Sequence, residues 1–278
     1  MLLAIDLGNT NITLGVFSAD ALIGTFRLAS RRERTADEYA VLLRQVLAMQ
    51  GVPIDAIRHA VLASVVPALT NVLADAVQLA FGCGSLVVGP ELALGITLSV
   101  DRPHELGADR IVNAVAAREL ALRAAGESDW GAVLSRGSIV IDLGTATKLD
   151  CLSPKGEFLG GVIAPGLRVS LDALISAGAK LPPIELVAPE SVVGKNTIQC
   201  LQSGIVYGYA SLVDGLVTRL RAELAFPCDV VATGGLATVV AKHTQHTTSV
   251  DPDLTLRGLW LIHARNHAAR ERSRSTSS

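Results

Sequence analysis

Two short segments of the chain place an aspartate, a glycine and small polar side chains directly after an apolar run. The first is Asp6-Leu7-Gly8-Asn9-Thr10 and the second is Asp142-Leu143-Gly144-Thr145-Ala146-Thr147. Glycine lets a turn approach a phosphate closely and point backbone N–H groups at it. A carboxylate suits Mg²⁺, which prefers oxygen ligands and keeps several waters. Phosphoryl transfer needs mainly positioning and charge neutralisation, so both segments are candidate phosphate-binding turns.

The first turn is followed by further neutral donors. Asn9, Thr10, Asn11 and Thr13 can hydrogen-bond phosphate oxygens, and Asp6 is placed to hold a hydrated Mg²⁺. A single copy of this pattern would equally suit a plain β-hairpin whose turn uses Asp and Gly. Two copies, together with Gly234-Gly235 after a later apolar run, favour a nucleotide site instead. The Gly-Gly turn would let adenosine lie against the backbone.

The elements that must position these turns repeat along the chain. Residues 1–5 predict a strand that ends at Asp6, and residues 12–17 predict its antiparallel partner. The pattern restarts 136 positions later, with a strand at 138–141 and a return strand at 148–152. A repeat at half the chain length indicates a duplicated domain rather than a solenoid.

Other segments complete an α/β pattern. The capping-box sequence Thr35-Ala36-Asp37-Glu38 predicts a helix to about residue 50, and Asn196 predicts the start of a long helix to about residue 224. The remaining predictions are strands at 21–28, 60–65, 85–88 and 229–232, and helices at 67–81, 107–125 and 256–269. We expect an N-terminal domain at 1–120, a linker at 121–137, a C-terminal domain at 138–269 and a disordered tail at 270–278.

Composition narrows the class of protein. The 278 residues suit two domains of roughly 130 residues each. The net charge of −2 and the 4% of aromatic residues argue against nucleic acid and anionic membrane surfaces as partners. Four scattered cysteines without a close pair are typical of reduced thiols. With no signal-peptide pattern and no apolar run of 18 residues, a cytoplasmic protein without a transmembrane helix is expected.

A third polar motif, Gly107-Ala108-Asp109-Arg110, opens a predicted helix. An acid in a first helical turn is stabilised by the helix dipole, and an arginine there can simply be solvated. The alternative is functional: Asp109 accepts the proton of a substrate hydroxyl, while Arg110 and the helix N-terminus hold an anionic group. The residues themselves leave both interpretations open.

The doubled turn with a later Gly-Gly resembles the superfamily of sugar kinases, acetate kinase, Hsp70 and actin, in which two ribonuclease-H-like domains clamp ATP. A narrower resemblance, over residues 1 to about 260, is to type III pantothenate kinase. The segments that carry it occur in that family's order and are Asp6–Thr10, Gly107–Arg110 with Asn113 and Ala116-Ala117, Asp142–Thr147, Leu159-Gly160-Gly161 with Ala164-Pro165-Gly166-Leu167, Ala179-Lys180-Leu181-Pro182, Gly194-Lys195-Asn196-Thr197, Gln202-Ser203-Gly204 and Ala232–Gly235.

The resemblance implies a duplicated actin-like α/β fold with an ATP cleft between the domains. It also implies a homodimer that uses ATP with Mg²⁺, and K⁺ or NH₄⁺, to convert pantothenate to 4'-phosphopantothenate, the first step of coenzyme A synthesis. Asp109 would be the proton acceptor and Asp142 the monovalent-cation ligand. The implied ATP-binding residues are Asp6, Leu7, Gly8, Asn9, Thr10, Asn11, Ile12, Thr13 and Thr145, and the implied pantothenate-binding residues are Gly107, Ala108, Asp109, Arg110 and Thr197.

Two positions depart from the family pattern. The family's second turn usually reads Thr-Ala-Thr-Thr-Phe-Asp, whereas this chain has Lys148 and Leu149 at the fourth and fifth positions. An aromatic residue often found shortly before the Gly-Ala-Asp-Arg motif is Val100 here. Lys148 is compatible with a solvated strand lysine. Our hypothesis is that its ammonium lies near Asp142 and substitutes for, or weakens, bound K⁺.

These departures keep other functions open. One alternative is another small-molecule kinase of the same fold, and another is a non-catalytic homologue that binds a nucleotide or metabolite and regulates through protein contacts. Retention of Asp6, Asp109, Arg110 and Asp142 argues against the second. His243-x-x-His246 and His263-x-x-x-His267 have metal-like spacing. Apart from Asp251 and Asp253 they lack close acidic or cysteine partners, so surface or core histidines are the favoured interpretation.

Overall fold

A computed structural model of the chain describes residues 1–178 and 181–275, with side chains described as far as residue 268. Ala179 and Lys180 of the Ala179-Lys180-Leu181-Pro182 motif lie outside the described residues, as do residues 276–278. The chain forms two compact units. Among the described residues, the first comprises 1–95, 101–116 and 255–275, and the second comprises 96–100, 117–178 and 181–254.

The first unit is a mixed five-stranded sheet with helices packed on it. Its strands run in the order β3-β2-β1-β4-β5, with β1 antiparallel to β2 and parallel to β4. The elements are β1 (Leu2–Leu7), β2 (Asn11–Ser18), β3 (Ala21–Ala29), α1 (Ala36–Met49), β4 (His59–Ser64), α2 (Pro67–Phe81) and β5 (Ser85–Val87). Two later helices also contribute: α3 (Ala108–Ala124) lies in this unit as far as residue 116, and α7 (Leu254–Ser275) lies in it from residue 255.

Local sequence explains the helix bounds of this unit. Thr35 caps α1 by accepting from the Glu38 backbone N–H, and the Glu38 carboxylate accepts in return from the Thr35 N–H at 2.8 Å. Pro67 is the first residue of α2, and Gly82 ends it in the left-handed conformation, with a φ of 69°. One core joins these helices to the sheet, since Leu3, Ile5 and Leu7 of β1 pack with α1 and α2.

The second unit repeats this arrangement. Its sheet has the order β11-β10-β7-β8-β9-β6. Read from β9 to β11, the order reproduces that of the first sheet, with β6 added beside β9. The elements are β6 (Thr97–Leu98), β7 (Gly137–Leu143), β8 (Ala146–Leu152), β9 (Glu157–Pro165), α4 (Leu167–Ala177), α5 (Thr197–Leu224), β10 (Cys228–Thr233), α6 (Ala237–Val240) and β11 (Ser249–Val250). The duplicated α/β fold predicted from the two turns is therefore confirmed.

Several bounds differ from the sequence-based expectations. The last helix, α7, belongs to the first unit, whereas the sequence analysis expects it in a C-terminal domain at 138–269. α7 also includes residues 270–275, which we expected to be part of a disordered tail. The second unit contains β9 and α4, for which the sequence patterns gave no bounds. Among the described residues, no helix is both long and apolar enough to span a membrane.

Candidate functional site

The first Asp-Gly turn joins β1 to β2. Asp6 is the penultimate residue of β1 and lies opposite Thr13 in the antiparallel register. The Gly8 N–H donates to the Asn11 carbonyl oxygen at 3.0 Å, which closes the turn. The side chains of Asn9, Thr10 and Asn11 are exposed at its tip. The turn therefore offers a row of neutral donors to solvent, as phosphate binding requires.

A residue that the sequence analysis did not single out, Ser30, anchors this turn from the end of β3. The Ser30 hydroxyl donates to the Gly8 carbonyl oxygen at 2.6 Å, and the Ser30 N–H donates to the Thr10 carbonyl oxygen at 3.0 Å. With these carbonyl groups paired, the turn is held in one shape before any ligand arrives. The only signal for Ser30 in the sequence was its place two residues after the strand predicted at 21–28.

Two of the predicted ATP-binding residues can act only through their backbone. The side chains of Leu7 and Ile12 have no solvent exposure and belong to the core of the first unit. Their role is to fix the ends of the two strands so that the turn between them has a defined position. Polar contacts with a ligand fall to their neighbours in the turn.

The Gly107–Arg110 motif lies at the same edge of the first sheet. The Val65 N–H, directly after β4, donates to the Leu7 carbonyl oxygen at 3.1 Å. A Cβ atom at Gly107 would lie 3.6 Å from Val65 Cγ1. Val65 thus connects the end of β1 to the start of α3, and the structure brings the predicted phosphate turn and the predicted acceptor motif together within one unit.

The start of α3 directs Asp109 back over the helix terminus. The Arg110 N–H donates to Asp109 Oδ1 at 2.8 Å and also to the Gly107 carbonyl oxygen at 3.0 Å. A Cβ atom at Gly107 would lie only 2.7 Å from Asp109 Oδ1, so glycine leaves room for the carboxylate. Ala108 is buried, whereas Asp109 and Arg110 are partly exposed. The motif therefore combines a positioned carboxylate, a guanidinium group and helix N–H groups that favour anions.

The second Asp-Gly turn joins β7 to β8 and differs from the first. Asp142 lies directly opposite Lys148 in the antiparallel register. Lys148 Nζ lies 2.7 Å from Asp142 Oδ2, and the two side chains are only 14% and 16% exposed. The interpretation of Lys148 as a solvated strand lysine is therefore wrong, and the hypothesis that its ammonium lies near Asp142 is confirmed.

The other carboxylate oxygen of Asp142 faces the Gly-Gly turn after β10. A Cβ atom at Gly234 would lie 2.8 Å from Asp142 Oδ1, and the Gly234 φ is +94°. Thr233, the residue paired with Asp142 in the parallel register, is 1% exposed. Its hydroxyl oxygen is buried and has no hydrogen-bond partner among the described residues. A carboxylate, an ammonium and a buried hydroxyl thus line this end of the second sheet.

Thr145 stands at the exposed tip of the second turn. Its carbonyl oxygen accepts from the Gly166 N–H at 3.1 Å, which ties the tip to the end of β9. The neighbouring Thr147 is buried, and its hydroxyl lies 2.7 Å from that of Tyr209 on α5. Burial raises the pKa of Tyr209, and the hydrogen bond with Thr147 opposes part of that rise. The Thr145 side chain is exposed at this tip.

Thr197 is the first residue of α5 in the second unit. Asn196 caps the helix, its side chain accepting from the Gln199 N–H at 2.9 Å, as the sequence predicts. Thr197 and Ile198 are exposed. The structure therefore places Thr197 at a helix N-terminus, a location that suits an anionic ligand.

The paired histidines make structural contacts. The His263 and His267 rings lie with that of His59, with centroids 5.0 to 5.6 Å apart. The pKa of His59 is lowered mainly by burial, and further by His267 and the N-terminal amino group. His246 contacts Thr218, and the His243 ring packs edge-on against Tyr207. Within residues 1–178 and 181–275, no group of three or more His, Cys, Asp and Glu is arranged to hold a metal ion.

Comparison with known proteins gives one consistent result. The family model described as type III pantothenate kinase matches residues 2–219. The chain is 47% identical to the type III pantothenate kinase of Moorella thermoacetica, over 96% of this chain and all of the relative. It is 44% identical to the type III pantothenate kinase of Myxococcus xanthus, over 97% of this chain and again all of the relative.

Solved structures show the same fold at low sequence identity. A conserved putative Baf family transcriptional activator from Campylobacter jejuni matches with a TM-score of 0.58 and 19% identity, covering 96% of this chain and 99% of that one. MreB 5 of Spiroplasma citri matches with a TM-score of 0.53 and 12% identity, covering 98% of each chain. At these identities the similarity concerns the fold alone, and it agrees with two actin-like units.

Proposed function

The chain belongs to the type III pantothenate kinase family, and from this premise we propose that it transfers the γ-phosphoryl group of ATP to the hydroxyl of pantothenate, forming 4'-phosphopantothenate. The observation that carries the proposal is the meeting of two motifs at one sheet edge. Val65 contacts the end of β1 on one side and the Gly107 position on the other. A phosphate turn and a motif suited to an acceptor hydroxyl are therefore neighbours, as transfer between two substrates requires.

The first turn is the proposed phosphate site. Backbone N–H groups at the tip of this turn and the exposed side chains of Asn9, Thr10 and Asn11 donate to phosphate oxygens. Asp6 holds the Mg²⁺ of the Mg–ATP substrate through water, in keeping with the preference of Mg²⁺ for oxygen ligands and retained waters. Thr145 adds a contact to ATP. The anchoring of the turn by Ser30 supports this role, since a preformed cradle needs no reorganisation when charge moves.

The start of α3 is the proposed acceptor site. Asp109 accepts the proton of the pantothenate hydroxyl as that oxygen attacks phosphorus. Arg110 and the helix N-terminus hold the pantothenate carboxylate through charge-assisted hydrogen bonds. Gly107 and Ala108 give the substrate close access to the backbone, and Thr197 provides a further pantothenate contact.

We further propose that one positive charge is required beside Asp142, the residue at which the family resemblance implies K⁺ or NH₄⁺.

The experiment that tests this function measures ADP release from ATP with pantothenate and with a panel of other hydroxyl acceptors. Wild type should turn over with pantothenate. Because a positioned general base typically contributes about 10²- to 10⁴-fold, Asp109→Asn should lose turnover by that factor while still binding ATP. Asp101→Asn, at an exposed position in the preceding loop, is the matched control and should keep the wild-type rate.

Two outcomes would contradict the proposal. Turnover with a different acceptor but not with pantothenate would indicate another small-molecule kinase of this fold. Binding of nucleotide and pantothenate without turnover, whatever acceptor and cation are supplied, would indicate a non-catalytic regulatory homologue.

We also propose that the enzyme works as a cytoplasmic homodimer, as the family resemblance implies. Large apolar side chains support the dimer, because Val187, Val192, Val193 and Ile198 are 47–77% exposed within a dozen residues of the second unit. Apolar clusters of this kind mark interaction surfaces. Ile198 adjoins Thr197, which agrees with a pantothenate site near the subunit interface.

A further inference from the structure

The residues around Asp142 do not fit a bound monovalent metal ion. A potassium site needs several oxygen atoms directed at one point. Here Asp142 Oδ2 already pairs with Lys148 Nζ at 2.7 Å, and Oδ1 faces the backbone around Gly234. A K⁺ ion at this carboxylate would lie beside a lysine ammonium in a place that is mostly removed from solvent. Two like charges so close, with little water to screen them, repel strongly.

From this disagreement we infer that Lys148 is itself the cation of the second turn. The inference rests on the proposed kinase function and concerns how that site is regulated. A lysine ammonium carries the same single charge as K⁺ and is chemically close to NH₄⁺, the other ion that the resemblance implies. The tethered group would supply the positive charge beside Asp142 without any ion from solution.

The strand register makes this placement a property of the fold. Asp142 and Lys148 are directly opposite each other on adjacent antiparallel strands, so their side chains project from the same face of the sheet. The neighbouring Thr147 and Leu149 point to the other face and are fully buried. The ammonium is thus held at Asp142 by the packing of β8, not by a flexible loop, and it is present in every molecule.

The register also shows which polar groups would lie around Asp142 if position 148 carried a smaller residue. Thr233 is paired with Asp142 on the strand at the other side of β7, and its buried hydroxyl has no hydrogen-bond partner among the described residues. Lys148→Thr, which restores the residue usual in the family, would add a second hydroxyl across the same carboxylate. Oxygen-bearing side chains would then stand at three neighbouring register positions, 142, 148 and 233, and oxygen ligands suit a hard cation such as K⁺.

The first test compares wild-type turnover with ATP and pantothenate in K⁺, in NH₄⁺ and in choline at constant ionic strength. We expect the three rates to agree within about twofold, since the charge is built in. The Lys148→Thr variant should be active in K⁺, and its turnover in choline should be lower by about 10²-fold or more, the order expected for removing one electrostatic contact. Lys155→Thr removes an exposed lysine from the next hairpin and should behave like wild type.

A second readout does not depend on activity. K⁺ that binds only the folded state raises the unfolding temperature as its concentration rises. The unfolding temperature of wild type should be the same in K⁺ as in choline, and so should that of Lys155→Thr. The unfolding temperature of Lys148→Thr should be higher in K⁺ than in choline. Circular dichroism of the variant checks that it folds.

The outcomes separate the two proposals. Wild-type turnover that requires K⁺ or NH₄⁺, or wild-type stabilisation by K⁺ but not choline, would overturn the role of Lys148 and leave the kinase function standing. A chain that binds its ligands but never turns over would overturn the kinase function. In that case the unfolding temperatures alone test the role of Lys148. A rise in the unfolding temperature of Lys148→Thr that is specific to K⁺ would support a cation site filled by Lys148 in wild type, and the absence of such a rise would refute that site.

Discussion

A methyl group at Gly234 would collide with the second turn. It would lie 2.8 Å from Asp142 Oδ1 and equally near the Leu143 backbone, and the Gly234 φ of +94° is one that residues with a Cβ rarely adopt. We therefore expect Gly234→Ala to lower the free energy of unfolding by about 1–3 kcal/mol. It should also reduce turnover, because Asp142 must move.

Gly235→Ala is the matched control. A Cβ atom there would meet nothing within 4 Å, and Gly235 does not have a positive φ. Chemical denaturation of the two variants checks the difference. Equal stability would show that the contact with Asp142 does not determine the geometry of this turn.

Candidate site residues can be predicted from the sequence where a residue type in a given setting has few alternative uses. Asp6, Asp109 and Asp142 could be identified because aspartate followed or preceded by glycine, at the end of an apolar run or the start of a helix, has a recognisable chemistry. Ser30 and Val65 could not, because they act through the backbone of residues far away in the chain. The 2.7 Å distance between Lys148 and Asp142 follows from the strand register, so the sequence supports it only as a hypothesis.

At the scale of elements, Tyr209 connects α5 to the sheet beneath it. Its hydroxyl lies 2.7 Å from the Thr147 hydroxyl and contacts the Pro165 carbonyl oxygen, with Thr147 fully buried. Tyr209→Phe leaves the buried Thr147 hydroxyl without that partner, so we expect a loss of about 1–3 kcal/mol in the free energy of unfolding. Thr145 directly precedes β8 and is hydrogen-bonded to Gly166, directly after β9, so the affinity for ATP should fall as well.

Tyr207→Phe, two residues earlier on α5, provides the comparison. Its hydroxyl donates to the Pro189 carbonyl oxygen at 2.6 Å, but Tyr207 is only half-buried and water can replace it. Urea denaturation should show a clearly smaller loss than for Tyr209→Phe. If the two variants were equally destabilised, burial of the Tyr209 contacts would not be what holds α5 in place.

Elements were predictable where a local signal sets their bounds. α1 begins after its capping box, α2 begins at Pro67, and α5 begins after Asn196, all as the sequence indicates. The bounds of β9 and α4 could not be predicted, and for β9 the structure gives a physical reason. β9 contains Gly160 and Gly161, and half-buried residues alternate with exposed ones along most of its length, so it is a strand because β8 pairs with it. β6 has only two residues and exists through its pairing with β9.

At the scale of the whole chain, the amino-acid sequence showed the domain duplication only through the two Asp-Gly turns. The sheet orders show it far more completely, since β3-β2-β1-β4-β5 is repeated by β9-β8-β7-β10-β11. The sequences of the two halves need not agree beyond the turns, because many apolar residues can fill equivalent strand positions. The place of α7 in the first unit depends on residues distant in sequence, as in the hydrogen bond from the Trp260 indole to the Ala19 carbonyl oxygen at 2.7 Å. A linear pattern carries no record of such interactions.

The proposed homodimer gives the prediction that belongs to this scale. Val192 and Val133 are both 68% exposed in the second unit, but only Val192 lies among other exposed apolar residues, between α4 and α5. If that segment forms the subunit interface, a charge there must be buried without a partner, which costs several kcal/mol. Val192→Glu should therefore yield monomers and weaken pantothenate binding near Thr197, while Val133→Glu should remain dimeric and active. Sedimentation velocity at micromolar concentration, alongside the ADP-release assay, measures both effects. A monomeric wild type, or a fully active and dimeric Val192→Glu variant, would refute an interface at this segment.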